Sequence, residues 1–241
     1  MYLPALVARA ITAVDIPSAL GEVSKAFSTN PGSGAVLLYN GAPFPMHVSW
    51  DWCIGTAVLS SQPTDYVLEP YATSFFELPS SIQGLGHAFY VSRTPNPEIA
   101  GPKRTHDTKM EFLMRGHGGH MYFDVDVEKG VSIPMIATDL FGPMKSGCGV
   151  DKLATCPEQW KHYGSDGLPD QCLNWQTSDS IGYFRDSCPG WYVMWNDEET
   201  RGVPSFGMNR PVLLVAAGGD VDANLENLRA QTLAAVGSMV Y

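Results

Sequence analysis

From Lys109 to Val127 the chain alternates apolar and polar residues on either side of Gly116-His117-Gly118-Gly119. A period of two is the signature of a strand with one buried face, and the glycines supply the positive φ that a tight hairpin turn requires. In a hairpin closed symmetrically about that turn, Met110, Phe112, Met114, Met121, Phe123, Val125 and Val127 share one face. Lys109, Glu111, Arg115, His120, Tyr122, Asp124 and Asp126 share the other, with Leu113 as its single apolar member. The same symmetry pairs Arg115 with His120, Leu113 with Tyr122, Glu111 with Asp124 and Lys109 with Asp126. A slip of one residue would send every one of these side chains to the wrong face, so the pattern specifies both strands and register.

This register sets two carboxylates directly across from each other, with Cβ atoms roughly 5 Å apart. Like charges so placed weaken a sheet by up to about 1 kcal/mol. Shielding from water would then leave one carboxyl holding a proton. An acid beside a base is what general acid–base catalysis needs, so Glu111 and Asp124 are the expected catalytic pair. His120 and Tyr122 lie on the same face and are expected to orient the pair or relay protons, since an imidazole titrates at about pH 6.5. The alternative is a solvated face on which Lys109 and Arg115 simply neutralise the acids. His117 and His120 have no third ligand fixed by spacing, so no metal is expected, nor any other cofactor. His106-Asp107, just before the first strand, reads as loop. No Gly-x-Ser-x-Gly is present, and Gly147/Gly149 and Gly218/Gly219 lack the spacing of a phosphate loop.

The rest of the chain reads as a mainly β fold with an irregular second part. The 241 residues carry 15 basic and 25 acidic side chains, a net charge of −10, which argues against nucleic acid and against anionic membrane surfaces as partners. With 44% apolar and 17% charged residues the chain is globular rather than disordered. No apolar run approaches the roughly 18 residues that would span a bilayer. Residues 1–34 read as an N-terminal arm in which Asp15 caps a helix with Ile16, Ala19, Leu20, Val23, Ala26 and Phe27 on one stripe, ending at Asn30-Pro31-Gly32. Strands are expected at 35–39, 47–51, 56–60, 65–68, 73–77, 87–93, 109–115, 120–128, 131–137 and 211–217. Residues 35–138 with 201–220 form the β domain. Residues 139–200 lose the alternation and form a second lobe holding four of the five cysteines. Residues 221–241 end the chain with a helix that presents Leu225, Leu228, Leu233 and Val236. The arm and this helix are the surfaces through which an oligomer is expected, if one forms. The cysteines (Cys53, Cys148, Cys156, Cys172, Cys188) suit either two local disulfides and a free thiol or five buried thiols. The lobe's aromatics, Trp175, Tyr183, Phe184, Trp191, Tyr192 and Trp195, are mostly expected in a core, with one or two left to wall a pocket.

Several motifs resemble thaumatin-like proteins. Met110-Glu111-Phe112 and Tyr122-Phe123-Asp124 through Gly130-Val-Ser-Ile-Pro134-Met135 are similar to that family's acid-bearing strand and its Phe-Asp … Asn-x-Pro-Met stretch. Cys148-Gly-Val-Asp151 … Cys156-Pro157, Phe184-Arg-Asp-Ser-Cys188-Pro189 … Asp197 and Tyr90-Val-Ser-Arg93-Thr94 resemble further family motifs, so the likeness covers roughly 35–217. The resemblance implies an antiparallel β-sandwich beside a disulfide-bearing, loop- and helix-rich lobe, with an acidic cleft between them. It also implies the pairs Cys148–Cys188 and Cys156–Cys172, leaving Cys53 free. The family's third small disulfide loop is reduced here to a connection between Arg93 and Glu111. Lys129 stands where an acid is expected, Gly190 where an Asp is expected, and Phe89 where the cleft arginine is expected.

Two functions follow. In the first the chain is an acid–base enzyme performing elimination, condensation, cyclisation or hydrolysis on a small organic or glycoside substrate in biosynthesis. Glu111, Asp124, His120 and Tyr122 would be catalytic, and Lys109, Arg115, Asp126, Trp175, Tyr183 and Trp191 would hold the ligand. In the second, implied by the resemblance, it is a β-1,3-glucan-binding defence protein with weak hydrolytic activity or none. The family is typically secreted. The start of this chain lacks a basic residue and is interrupted by Pro4 and Arg9, which makes a poor signal peptide and leaves an intracellular location equally open.

Overall fold

The computed structural model describes residues 10–30, 32–51, 65–95, 107–194 and 211–236. The strand expected at 56–60, Cys53, His106, Trp195 and Asp197 lie outside them. In chain order the elements are β1 (Ala10–Val14), α1 (Ile16–Thr29), β2 (Gly34–Asn40), β3 (Met46–Asp51), β4 (Asp65–Leu68), β5 (Thr73–Leu78) and β6 (His87–Ser92). They continue with β7 (Thr108–Leu113), β8 (Tyr122–Asp126), β9 (Gly130–Val131), β10 (Met135–Asp139), β11 (Lys145–Cys148), β12 (Lys161–Tyr163) and β13 (Pro169–Leu173). Last come α2 (Ser178–Ser187), β14 (Val212–Ala217) and α3 (Val221–Val236).

Among the described residues the strands form three sheets, ordered β1-β5-β2-β14-β10-β11, β4-β3-β6-β7-β8 and β12-β13-β9. The fold is mainly β and the pairings are antiparallel, except that β2 and β14 run parallel at the middle of the six-stranded sheet. Parallel neighbours need a long crossover, and here it comprises everything between residues 40 and 212.

The central strands β5, β2, β14 and β10 of the six-stranded sheet are buried on both faces. Val36, Leu38, Phe76, Met135, Leu213 and Val215 face the five-stranded sheet and share one apolar core with its Val48, Phe89, Met110, Phe123 and Val125. Ala35, Leu37, Phe75, Ile136, Leu214 and Ala216 face the opposite way, against α1 and α3. Burial on both sides explains why 35–39 and 211–217 read as uninterrupted apolar runs rather than alternating ones. The N-terminal segment forms α1 as expected: Asp15 accepts from the Ser18 amide at 2.8 Å, and the six residues of the apolar stripe are buried. The C-terminal helix buries Val221, Leu225, Leu228, Thr232 and Val236. Leu233, expected on that stripe, is exposed, because the 3.6-residue period brings position 232 rather than 233 back to the sheet.

The expected strand 131–137 is two strands, β9 and β10, broken at Ser132 and Pro134, and each joins a different sheet. In the second lobe β12, β13 and α2 are stapled by Cys156–Cys172 and Cys148–Cys188, with Cα separations of 5.7 and 5.4 Å. After α2, residues 190–193 lie parallel beside β8: the Tyr192 amide donates to the Val125 carbonyl and the Val127 amide donates to that of Tyr192, both at 2.9 Å. Gly190 makes this possible, since a Cβ there would stand 2.5 Å from the Gly147 carbonyl oxygen. That close contact is a physical reason for the glycine found where an aspartate was expected.

Phe123 is 2% exposed at the centre of the core between the two larger sheets. Phe123→Ala is expected to cost about 3–5 kcal/mol in urea unfolding. A loss well under 1 kcal/mol would show that the two sheets do not close on each other there.

Candidate functional site

The β7–β8 hairpin has the register that the alternation specifies: Lys109 lies opposite Asp126, Met110 opposite Val125, Glu111 opposite Asp124, Phe112 opposite Phe123 and Leu113 opposite Tyr122. The burial of β7 alternates strictly. The turn is a single 3-10 turn over His117–Gly119, with Gly118 and Gly119 at φ 71° and 80°. Gly116 is required for a different reason. A Cβ there would lie 2.6 Å from the Tyr122 ring, which folds over the turn.

On the outer face of the five-stranded sheet these residues line a cleft of about 350 Å³. Its polar wall is Lys109, Glu111, Asp124 and the phenols of Tyr90 and Tyr122; Ala88, Phe112 and Leu113 make the apolar part. The cross-strand register explains the assembly, because Ala88 pairs with Glu111 and Tyr90 with Lys109. Lys109 sits between two acids. Its ammonium ion-pairs with Glu111 and lies 3.0 Å from Asp126 Oδ2. Burial pulls this lysine's pKa down, but the charges of Asp126 and then Glu111 outweigh it, and the net shift is upward. Lys109 is therefore held as an ammonium, suited to electrostatic work rather than to proton donation or to acting as an amine nucleophile. Asp126 is buried and also accepts from the Glu128 amide at 2.6 Å. Asp124 Oδ1 is closed off from solvent.

Not every expected site residue reaches the cleft. The ladder ends at Leu113–Tyr122, so Arg115 and His120 belong to the turn. Arg115 is exposed, and the His120 ring packs over Gly118, where a Cβ would meet it at 3.0 Å. Trp191 is fully buried, 6.0 Å from Phe184, and cannot wall a pocket. Tyr183 packs edge-on to Trp160 at 5.5 Å, under the Lys152 ammonium, inside the second lobe. Trp175 is 57% exposed on the turn after β13 and is not among the cleft-lining residues. Phe89, at the expected arginine position, is buried in the core. The aromatic wall comes instead from Tyr90 and Tyr122, and the bridge between Tyr192 and Asp126 sets Tyr192 beside the same face. Tyr90 was legible in principle, since extending the alternation of 87–93 across the sheet puts it next to Lys109.

His87, one of the residues lining the cleft, is buried and stacks on Phe112 at 5.4 Å, with Nε2 3.0 Å from the Ile82 carbonyl. Burial lowers its pKa, offset in part by that carbonyl. Among the described residues no group of three or more His, Cys, Asp or Glu is placed to hold a metal ion, and no helix is long and apolar enough to cross a membrane.

No family model matches the chain, and no curated protein matches it. Among solved structures it is similar to the protein elicitor MoHrip2 from Magnaporthe oryzae, with a TM-score of 0.39 and 9% identity over 77% of this chain and 99% of that one.

The depressed His87 pKa gives a stability signature. Below about pH 6.5 the unfolded chain binds a proton that the folded site resists, so this residue removes stability as the pH falls from there toward its lower folded value. His87→Gln is expected to flatten the fall in unfolding free energy as the pH drops below about 6.5, measured by urea titration at several pH values. An unchanged slope would mean that the imidazole is not the group responsible.

Proposed function

We propose that the cleft over β6–β8 is an acid–base catalytic site acting on a small organic or glycoside substrate, carried on a diverged thaumatin-like framework. One observation carries the reading: Glu111 and Asp124 face each other across one ladder rung, inside a concave site that also holds an ammonium and two phenols. Glu111, gripped by Lys109, is the proton acceptor, and Asp124 is the proton donor. Tyr90 and Tyr122 supply flat, amphipathic walls, and Ala88 and Leu113 give the substrate an apolar rest. Adjacent carboxylates leave no room for a water between them, so on a glycoside the geometry favours the retaining course, whose carboxyls stand roughly 5 Å apart. Glu111 then bonds to the anomeric carbon as Asp124 protonates the departing oxygen, and a water activated by Asp124 afterwards releases the sugar from Glu111. The thaumatin-like framework is supported by the two disulfides, which join the cysteines that the resemblance pairs, and by two β-sheets sharing one core.

The test is turnover of chromogenic glycosides and of β-substituted carbonyl compounds by the whole protein. Glu111→Gln and Asp124→Asn are each expected to lower kcat by about 10²–10⁴ while unfolding curves stay close to wild type. Wild-type turnover that survives both substitutions would overturn the reading. Retention on insoluble β-1,3-glucan without turnover would replace it with the binding function.

A further inference from the structure

A second cavity, of about 530 Å³, lies away from the cleft. It is bounded by Ile136, the run Gly147-Cys148-Gly149-Val150 and the start of α3, where Asp220 and Asp222 stand in its wall. The glycines on either side of Cys148 leave its side chain as the only one between them. Cys148 is bonded to Cys188, and the two cysteines are unlike: Cys188 is 0% exposed, whereas Cys148 is only partly buried. In the other disulfide, Cys156 and Cys172 are 6% and 0% exposed. Access to one sulfur is what thiol–disulfide exchange needs.

We infer that Cys148 is a thiol-exchange site, open through this cavity to small neutral or cationic thiols. The incoming thiolate attacks Cys148 Sγ and forms a mixed disulfide there. The Cys148–Cys188 bond breaks, and Cys188 leaves as a thiolate that takes a proton. A second equivalent of the thiol then releases Cys148 as a thiol and carries off the oxidised pair, so two thiols are consumed for one disulfide opened. The surroundings fit this direction. The Lys152 ammonium, hydrogen-bonded to Ser187 Oγ at 2.9 Å, holds a positive charge on the residue that precedes Cys188 in the chain, and the Val150 amide, donating to Cys148 Sγ at 3.5 Å, stabilises Cys148 as the sulfur released in the second exchange. Charge selects the thiol. Asp220 and Asp222 repel an anionic one, and Lys145, 3.6 Å from Asp222 and 2.7 Å from Glu226, offsets only part of that field. Opening the bond frees the start of the segment that lays Tyr192 beside Asp126. The inference does not depend on the chemistry of the cleft.

The test treats the native protein with cysteamine, 2-mercaptoethanol or 2-mercaptoethanesulfonate. Differential alkylation and peptide mass spectrometry then follow each cysteine, with rates corrected for thiolate fraction. Cys148–Cys188 is expected to open at least about tenfold faster than Cys156–Cys172, with the mixed disulfide on Cys148. Cysteamine should outpace the sulfonate several-fold. The double variant Asp220→Asn/Asp222→Asn, in which asparagine can still cap α3, should narrow that ratio. Simultaneous opening of both disulfides, adducts on Cys188, or equal rates for the three thiols would overturn the proposal.

Discussion

The packing of Met110, Phe112, Phe123 and Val125 against the six-stranded sheet is the constraint on which the site rests. These side chains are 3% exposed or less, and their burial locks β7 to β8 in one register. Glu111 and Asp124 occupy the alternate positions, so they meet because their neighbours must be inside. Moving either strand by one residue would put carboxylates into the core and phenylalanines into water, each displacement costing more than the repulsion between two partly shielded acids.

That repulsion is managed rather than removed. Lys109 stands two rungs along from the pair and engages Glu111 on its own strand and Asp126 across the ladder. Beyond β8, residues 190–193 take up the backbone groups of Val125 and Val127 that an edge strand would expose. The irregular lobe behind them is held by polar side chains that bond to backbone. Asn174 donates to the Val127 and Val193 carbonyls, and Ser132 Oγ donates to that of Asp170. Arg93 ties the five-stranded sheet to the lobe through Asp151 at 2.9 Å and rests on the Phe44 ring.

What was legible in the chain follows local periodicity. Asp15 and its stripe specify α1, and the alternation about the 116–119 turn specifies the rung holding Glu111 and Asp124. Long-range pairing was not legible. Nothing local says that β14 inserts beside β2, or that 131–137 divides between two sheets. In the lobe, short strands and side-chain-to-backbone bonds leave no period to read, so Trp191 and Tyr192 could not be assigned to faces. One residue decides between them: Trp191 goes to the core and Tyr192 toward the acids. His120 departs from the expected face for a related reason, because symmetry about a turn holds only as far as the ladder runs, and the ladder stops at Tyr122.

The parallel pairing of β2 with β14 carries a consequence for synthesis. β14 lies between β2 and β10, so the middle of the largest sheet has a gap until residues 212–217 have been made. A growing chain can close the β7–β8 hairpin early, since its contacts are local, but it must hold the facing edges of β2 and β10 unsatisfied until β14 has been made. Such an intermediate is a natural client for a chaperone, and a ribosome stalled before β14 would release a chain inclined to stick to its neighbours.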